Sequence, residues 1–280
     1  MIARTSEKLR WLLTHPEFRR SPARLLGRVA LWEYRRLRGV PVELALGKYM
    51  VRARPTDGIG RLICYFGLRA DELFAFLPWF LRPGMTMVDV GANIGTHSIV
   101  AAKLVGDTGR VFAYEPDPNT FRMLRHNLVQ NHATNVVARE VCVGTEAGVA
   151  RFNVNADSAK SSIVRPGIRQ IDVQVVSLDA CEHGERTIDL LKIDVEGADL
   201  DVLVGAERIL ATRPPRSIVI ETTDARSAIY ELLERNEYRL FGFDPDGLVL
   251  RDKDGDLFNC YAVHSSVPLT RAPQGGWQLA

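Results

Sequence analysis

An α/β fold with a mostly parallel sheet is what this sequence predicts, on three observations. Short apolar runs alternate with amphipathic stretches between residues 85 and 236, the order that builds parallel strands covered by helices on both faces. The first run, Met87-Val88-Asp89-Val90, passes into a glycine-punctuated turn, Gly91-Ala92-Asn93-Ile94-Gly95, and a helix then opens at Thr96. The second run ends on Glu115, twenty residues beyond Gly95. That is the distance at which a strand-terminal acid accepts both ribose hydroxyls of a nucleoside cofactor.

Taken in order, residues 1–46 read as a basic helical extension. Ten of the 36 Lys and Arg lie within residues 1–39, against three of the 34 Asp and Glu. The remaining 26 basic residues face 31 acidic ones, so the net charge of +2 is a basic head on a mildly acidic body. Two helices are predicted here, divided by His15-Pro16 and Ser21-Pro22. In the second, Leu25, Leu26, Val29, Trp32 and Leu37 recur at helical spacing with Arg24, Arg28 and Arg35 between them. Such a helix either docks on the domain with its arginines solvated, or touches an anionic membrane or an acidic partner. No recognition motif accompanies the charge, so no nucleic acid is expected.

Residues 47–84 predict a hairpin and a helix packed on the core. Tyr49-Met50-Val51 and Arg61-Leu62-Ile63 flank the turn signal Pro55-Thr56-Asp57-Gly58. Asp71 and Glu72 suit a first helical turn, and Pro78 is expected to close that helix. The main domain spans residues 85–268. A helix over residues 96–105 follows the first strand and a strand over 110–115 comes next. Asp117-Pro118 then caps a helix over 118–131 that buries Phe121, Leu124 and Leu128. A third strand covers residues 135–141. Residues 149–154 and 171–176 alternate like half-exposed strands, which predicts an inserted hairpin with a polar, mobile tip over 157–168. Strands over 188–193 and 217–221 are each followed by a helix, and Pro214-Pro215 separates the two units. A C-terminal antiparallel pair is predicted at 238–243 and 259–264. Residues 269–280 read as a frayed tail.

In such a sheet a ligand sits beyond the carboxyl ends of the strands. The candidate cofactor-binding residues are therefore Asp89, Gly91, Asn93 and Gly95 on the loop, Glu115 after the second strand, Cys142 after the third and Asp194 after the fourth. The two glycines carry no Cβ to block a ligand's approach to the backbone. A dinucleotide loop needs Gly-x-Gly-x-x-Gly, whereas here Thr96 and His97 fill the space a pyrophosphate would occupy. The loop therefore suits S-adenosylmethionine, with Asp89 meeting its methionyl end directly or through water.

The sequence resembles the FkbM-type methyltransferases. The resemblance is carried by Val88 to Gly95, by Val111-Phe112-Ala113-Tyr114-Glu115-Pro116 and by Val176-Ser177-Leu178-Asp179. Its most specific piece is Leu190-Leu191-Lys192-Ile193-Asp194-Val195-Glu196-Gly197-Ala198, followed by Val202-Leu203 and Gly205-Ala206. It covers roughly residues 60–265. It implies a Rossmann-like class I methyltransferase domain that uses S-adenosylmethionine, and O-methylation of a sugar, glycolipid or polyketide-like acceptor.

Methyl transfer to oxygen needs an aligned hydroxyl and a way to remove its proton. Asp194 and Glu196 are the candidate catalytic residues, Asp194 to position the acceptor and Glu196 as base. The same acids also suit structural work: Glu196 and Asp199 complement a helix dipole, and Lys192 and Asp194 share a strand face as an ion pair. No metal is expected, although Asp194, Glu221 and Asp224 form an oxygen-rich set that a divalent ion accepts. His97 reads as a solvated or capping residue rather than a base. A nicotinamide-dependent oxidoreductase and a non-catalytic binding protein docking through the basic head are the alternative functions. Four scattered cysteines, no secretory leader and no bilayer-length apolar run predict a soluble, cytoplasmic protein.

Overall fold

The computed structural model describes residues 18, 21–181, 183, 186–222 and 225–280. The first of the two predicted N-terminal helices and Asp224 lie outside them. The second is α1 (Pro22–Arg38), which begins behind a proline and ends at Gly39. It buries Leu25 and Trp32 against the domain, while Leu26, Leu31, Tyr34 and Leu37 stay exposed. Among the described residues, no helix is long and apolar enough to cross a membrane.

The lead-in differs from its expected form. The hairpin is β1 (Val42–Leu46) with β2 (Tyr49–Ala53), paired antiparallel around Gly47-Lys48. Val42, Leu44 and Leu46 face inward and the residues between them face out, so the alternation begins earlier than the 46/47 boundary. Arg61, Leu62 and Ile63 belong not to a strand but to α2 (Gly58–Phe66). A three-residue apolar run has no period of its own, and the buried Ile63, Tyr65 and Phe66 decide for helix. Then comes α3 (Leu73–Phe80), with Pro78 inside it rather than closing it.

The core sheet starts with β3 (Thr86–Val90), followed by α4 (Thr96–Val105), β4 (Arg110–Tyr114), α5 (Pro118–Gln130) and β5 (Val136–Arg139). The cap of α5 is Asp117, whose carboxylate accepts from the N–H groups of Asn119 and Thr120. The chain then leaves the sheet. A small three-stranded sheet joins β6 (Cys142–Val143), β7 (Gly148–Val154) and β8 (Arg169–Val176); the strand predicted over 135–141 is β5 alone, and β6 begins just beyond it in this second sheet. After it come β9 (Leu190–Ile193), the short helices α6 (Asp199–Val204) and α7 (Glu207–Thr212), β10 (Ser217–Glu221) and α8 (Arg226–Arg235).

Next are β11 (Tyr238–Asp244), β12 (Val249–Asp252) and β13 (Asn259–His264). The tail expected to fray is paired: β14 (Leu269–Arg271) and β15 (Trp277–Leu279) extend the sheet through Leu250 of β12. The ten-strand order is β14-β15-β12-β11-β13-β10-β9-β3-β4-β5, parallel from β10 to β5 and antiparallel beyond. This is a Rossmann-like α/β fold. Met87 and Leu190 point to one hydrophobic layer, and Val88, Val90 and Leu191 to the other. From β3 the chain moves outward to β4 and β5, then returns to β9 on the other side. The crevice at that reversal is where a ligand belongs.

Candidate active site

A cavity of about 1010 Å³, counting its open mouth, lies at that reversal. Its floor comes from strand ends: Val90, Gly91 and Asn93 after β3, Glu115 after β4, Val141 and Cys142 after β5, Lys192 and Asp194 from β9, Glu221 from β10. The inserted hairpin roofs it with Phe152, Ser158, Ser161 and Ile163. That polar tip is pinned, not loose. The Asp157 carboxylate accepts the Gly58 N–H at 2.7 Å, the Ser158 hydroxyl lies 3.0 Å from Asp57 Oδ1, and the Ser162 hydroxyl donates to the Glu196 carbonyl at 2.8 Å.

The loop glycines serve the protein's own packing. Gly91 has φ +75°, and a Cβ there would sit 1.9 Å from the Asp194 carbonyl oxygen. Gly95 has φ +87°, and a Cβ there would sit 2.5 Å from Leu124 Cδ1. The first glycine lets the loop press against the end of β9, the second lets it press against α5. Both are expected from the sequence to clear a ligand's approach; an added Cβ at either meets the protein itself, and of the two only Gly91 is in the cavity wall. Asn93, at φ +51°, is in that wall, with its side-chain oxygen accepting from the Ile94 N–H at 2.8 Å.

Glu115 is in the wall and nearly enclosed. Its Oε2 accepts the Asn93 N–H and its Oε1 the Asp117 N–H, both at 3.0 Å. Burial pushes its pKa up to about 8 against those donors. Cys142 forms wall on the same side, and burial pushes its thiol up to about 12, so it stays an uncharged, apolar surface.

Asp89 lies beneath the cavity rather than in its wall, with no solvent exposure. Its Oδ2 accepts from the Ser98 hydroxyl at 2.5 Å, and its Oδ1 lies 3.1 Å from Lys192 Nζ. That ammonium also donates to the Gly91 carbonyl at 3.2 Å and lies 3.4 Å from Asp194 Oδ2. Burial opposes the charge of Lys192, but Asp89 and Asp194 outweigh it and raise its pKa. The direct contact expected between Asp89 and a ligand is therefore closed off.

Asp194, Glu196 and Glu221 converge, with one carboxylate oxygen from each within 4.8 Å of the others. Asp194 and Glu221 are two of the three acids expected to form an oxygen-rich set, and Glu196 joins them; Asp224, the third, lies outside the described residues. Glu196 sits at φ +55° and pairs with Arg165 of the roof. Burial, then the charge of Asp194, push its pKa up to about 7. Glu221 is raised by burial and by the same neighbours.

Two wall residues were not legible as site residues. Asp71 had the appearance of a helix start, and His97 that of a solvated residue. His97 is in fact buried, its ring packed on Phe74 with centroids 4.6 Å apart, and its Nε2 lies 3.2 Å from Asp71 Oδ2. No hydrogen bond of proper geometry reaches that Nε2 among the described residues.

With this geometry in hand, comparison with known proteins is decisive. The methyltransferase FkbM domain is matched over residues 89–240, more than half of the chain.

The chain belongs to the FkbM methyltransferase family.

It is 31% identical over 187 residues to the 31-O-demethyl-FK506 methyltransferase FkbM of Streptomyces tacrolimicus, covering 55% of this chain and 71% of that one. It is also 31% identical over 124 residues to the hexuronic acid methyltransferase AglP of Haloferax volcanii, covering 44% of this chain and 50% of that one. A third relative, the AMB antimetabolite synthetase AmbE of Pseudomonas aeruginosa, is 26% identical over 76% of this chain, which spans only 12% of that protein.

Membership in a family of S-adenosylmethionine-dependent methyltransferases makes that molecule the cofactor to fit to the cavity. The residues suit it. The Glu115 side chain in the wall would take the ribose diol, uncharged walls flank it at Val141 and Cys142, and the acid Asp71 beside His97 lies in the same wall. Thr96 and His97 form wall at the helix start, where a dinucleotide needs open backbone for its pyrophosphate. The nicotinamide reading loses its support there.

Proposed function

We propose that this protein is an S-adenosylmethionine-dependent O-methyltransferase whose acceptor is a hydroxyl on a sugar, glycolipid or polyketide-like molecule. The observation that carries the reading is the meeting of Asp194, Glu196 and Glu221 at the same cavity that holds Glu115. An uncharged hydroxyl needs hydrogen-bond acceptors to aim it and a base to take its proton. The relatives named for methylating demethyl-FK506 and a hexuronic acid add weight to an oxygen acceptor.

When bound, the donor supplies a methyl group made electrophilic by its sulfonium. Glu115 accepts the two ribose hydroxyls, and the Asn93 and Asp117 N–H groups hold its carboxylate in place. Val141 and Cys142 cover the flat base. Asp194, fixed by Lys192, accepts a hydrogen bond from the acceptor hydroxyl and orients its oxygen. Glu196 takes the proton at a carboxylate oxygen. Its pKa of about 7 lies near working pH, which suits a group that must first accept and then release a proton.

The test is direct. The protein is titrated with S-adenosylmethionine, its demethylated product and NAD, then incubated with labelled S-adenosylmethionine and fractionated source-cell extract. Binding of the first two and label transferred to a hydroxyl support the reading. Tight binding of NAD with no response to S-adenosylmethionine sinks it.

A further inference from the structure

The cavity reaches beyond the stretch that the family match covers, since Ile59 and Asp71 come from the lead-in ahead of residue 89. Across the strand ends the wall residues run in order: Cys142 beyond β5, Glu115 beyond β4, Asn93 beyond β3, then Lys192 and Asp194 at β9. With Glu115 at the ribose, a reading on which this inference rests, the methionyl end of the donor extends toward β9. That end carries an ammonium group. Asp89, the acid expected to meet it, is sealed beneath the floor by Ser98 and Lys192.

Asp71 stands on the β9 side. It is in the wall of the donor cavity and of the adjoining one lined by Lys192, Asp194, Glu221 and Asn259. Its side chain keeps 28% exposure, against 9% for His97. The carboxylate is held at Oδ1 by the Leu73 N–H at 2.9 Å, and its Oδ2 lies 3.2 Å from His97 Nε2, a close polar contact without hydrogen-bond alignment. His97 is itself held by Phe74. Burial disfavours the charge of Asp71, but His97 and the Leu73 N–H outweigh it and keep the group an anion. A fixed, ionised carboxylate with free lone pairs on a cavity is a receptor for an ammonium group.

We propose that Asp71, positioned by His97, binds the α-ammonium group of the methionyl end of the donor. The lead-in is then part of the cofactor site, not packing alone.

The full chain carrying Asp71→Asn is titrated calorimetrically with S-adenosylhomocysteine and with methylthioadenosine, which keeps the nucleoside and the sulfur but has no ammonium group. The expected result is a roughly ten- to hundredfold weaker Kd for the first and a change of less than about twofold for the second. His97→Phe, which keeps a ring on Phe74, is expected to give the same one-sided loss at several-fold size. Equal losses for both nucleosides mean that Asp71 is only structural, and unchanged S-adenosylhomocysteine binding means that it is not at the donor; either overturns the proposal. Wild-type protein that binds neither nucleoside defeats the donor reading itself, a separate result.

Discussion

Asp89 and Lys192 face each other across adjacent parallel strands, paired in register and 3.1 Å apart, in the floor beneath the cavity. Both are nearly inaccessible to water. Lys192 is then the link between that floor and Asp194, which it holds at 3.4 Å on the solvent side. The pair sets the position of the acid proposed to aim the acceptor.

Removing one partner strands the other's charge. Lys192→Met is expected to cost about 3–5 kcal/mol of stability, and the double variant Asp89→Asn with Lys192→Met less than Lys192→Met alone. Urea unfolding of the three chains checks this. A single variant as stable as the wild type would show that the pair contributes nothing to the folded state.

At Gly91 the expected effect is steric. Alanine there brings a Cβ to 1.9 Å from the Asp194 carbonyl oxygen in a left-handed backbone. Gly91→Ala should cost about 2–4 kcal/mol and shift the β9 end, weakening donor binding as well. Thermal melts with and without S-adenosylhomocysteine measure both. An unchanged Tm contradicts the close approach.

For the ribose, Glu115→Ala should weaken S-adenosylhomocysteine and methylthioadenosine alike by at least about tenfold, since both carry the diol. This separates Glu115 from Asp71, whose loss touches only the ligand with an ammonium group. Unchanged affinity would place the ribose elsewhere.

The pH dependence of stability follows from buried carboxylates. Glu115, raised to about 8, and Glu196, raised to about 7, keep protons in the folded chain that the unfolded chain releases above its ordinary carboxylate range. Where the folded state binds more protons, stability falls as pH rises, by about 1.4 kcal/mol per unit for each proton. His183, pushed down to about 4 by burial, works the opposite way below its ordinary value of 6.5. The clear window is therefore pH 6.5 to 8, in which the ligand-free protein should lose stability. Melts across that range, with Glu115→Gln showing a shallower slope, check the sign; a rising Tm would refute it.

For catalysis, Glu196→Gln should lower kcat by roughly 10²–10⁴ with donor affinity nearly unchanged. Turnover of whatever acceptor the labelling identifies provides the measurement. A full-rate variant would assign the proton to another group.

Much of the fold and part of the site followed from local pattern. The strand-turn-helix of residues 86–105, the Asp117-Pro118 cap and the placement of Glu115 and Asp194 at strand ends depend on neighbours a few residues apart, and those neighbours are visible in the chain. Local pattern predicts a mobile tip at 157–168, whereas the tip is anchored by Asp57, Gly58 and Glu196, tens of residues away in the chain. Residues 269–280 likewise read as frayed in isolation, whereas β14 and β15 pair with each other and reach the sheet through β12.

By itself the sequence determined the parallel α/β order, the strand-turn-helix loop and the family, because periodicity, turn chemistry and motif spacing are local properties. Tertiary structure alone decided which acids meet. It buried Asp89 under Lys192, brought Glu196 to the expected pair Asp194 and Glu221, and carried Asp71 and His97 into the cavity wall. The reason is physical. A carboxylate's role depends on the charges, donors and water around it, and these come from chain segments up to more than a hundred residues apart that only packing brings together.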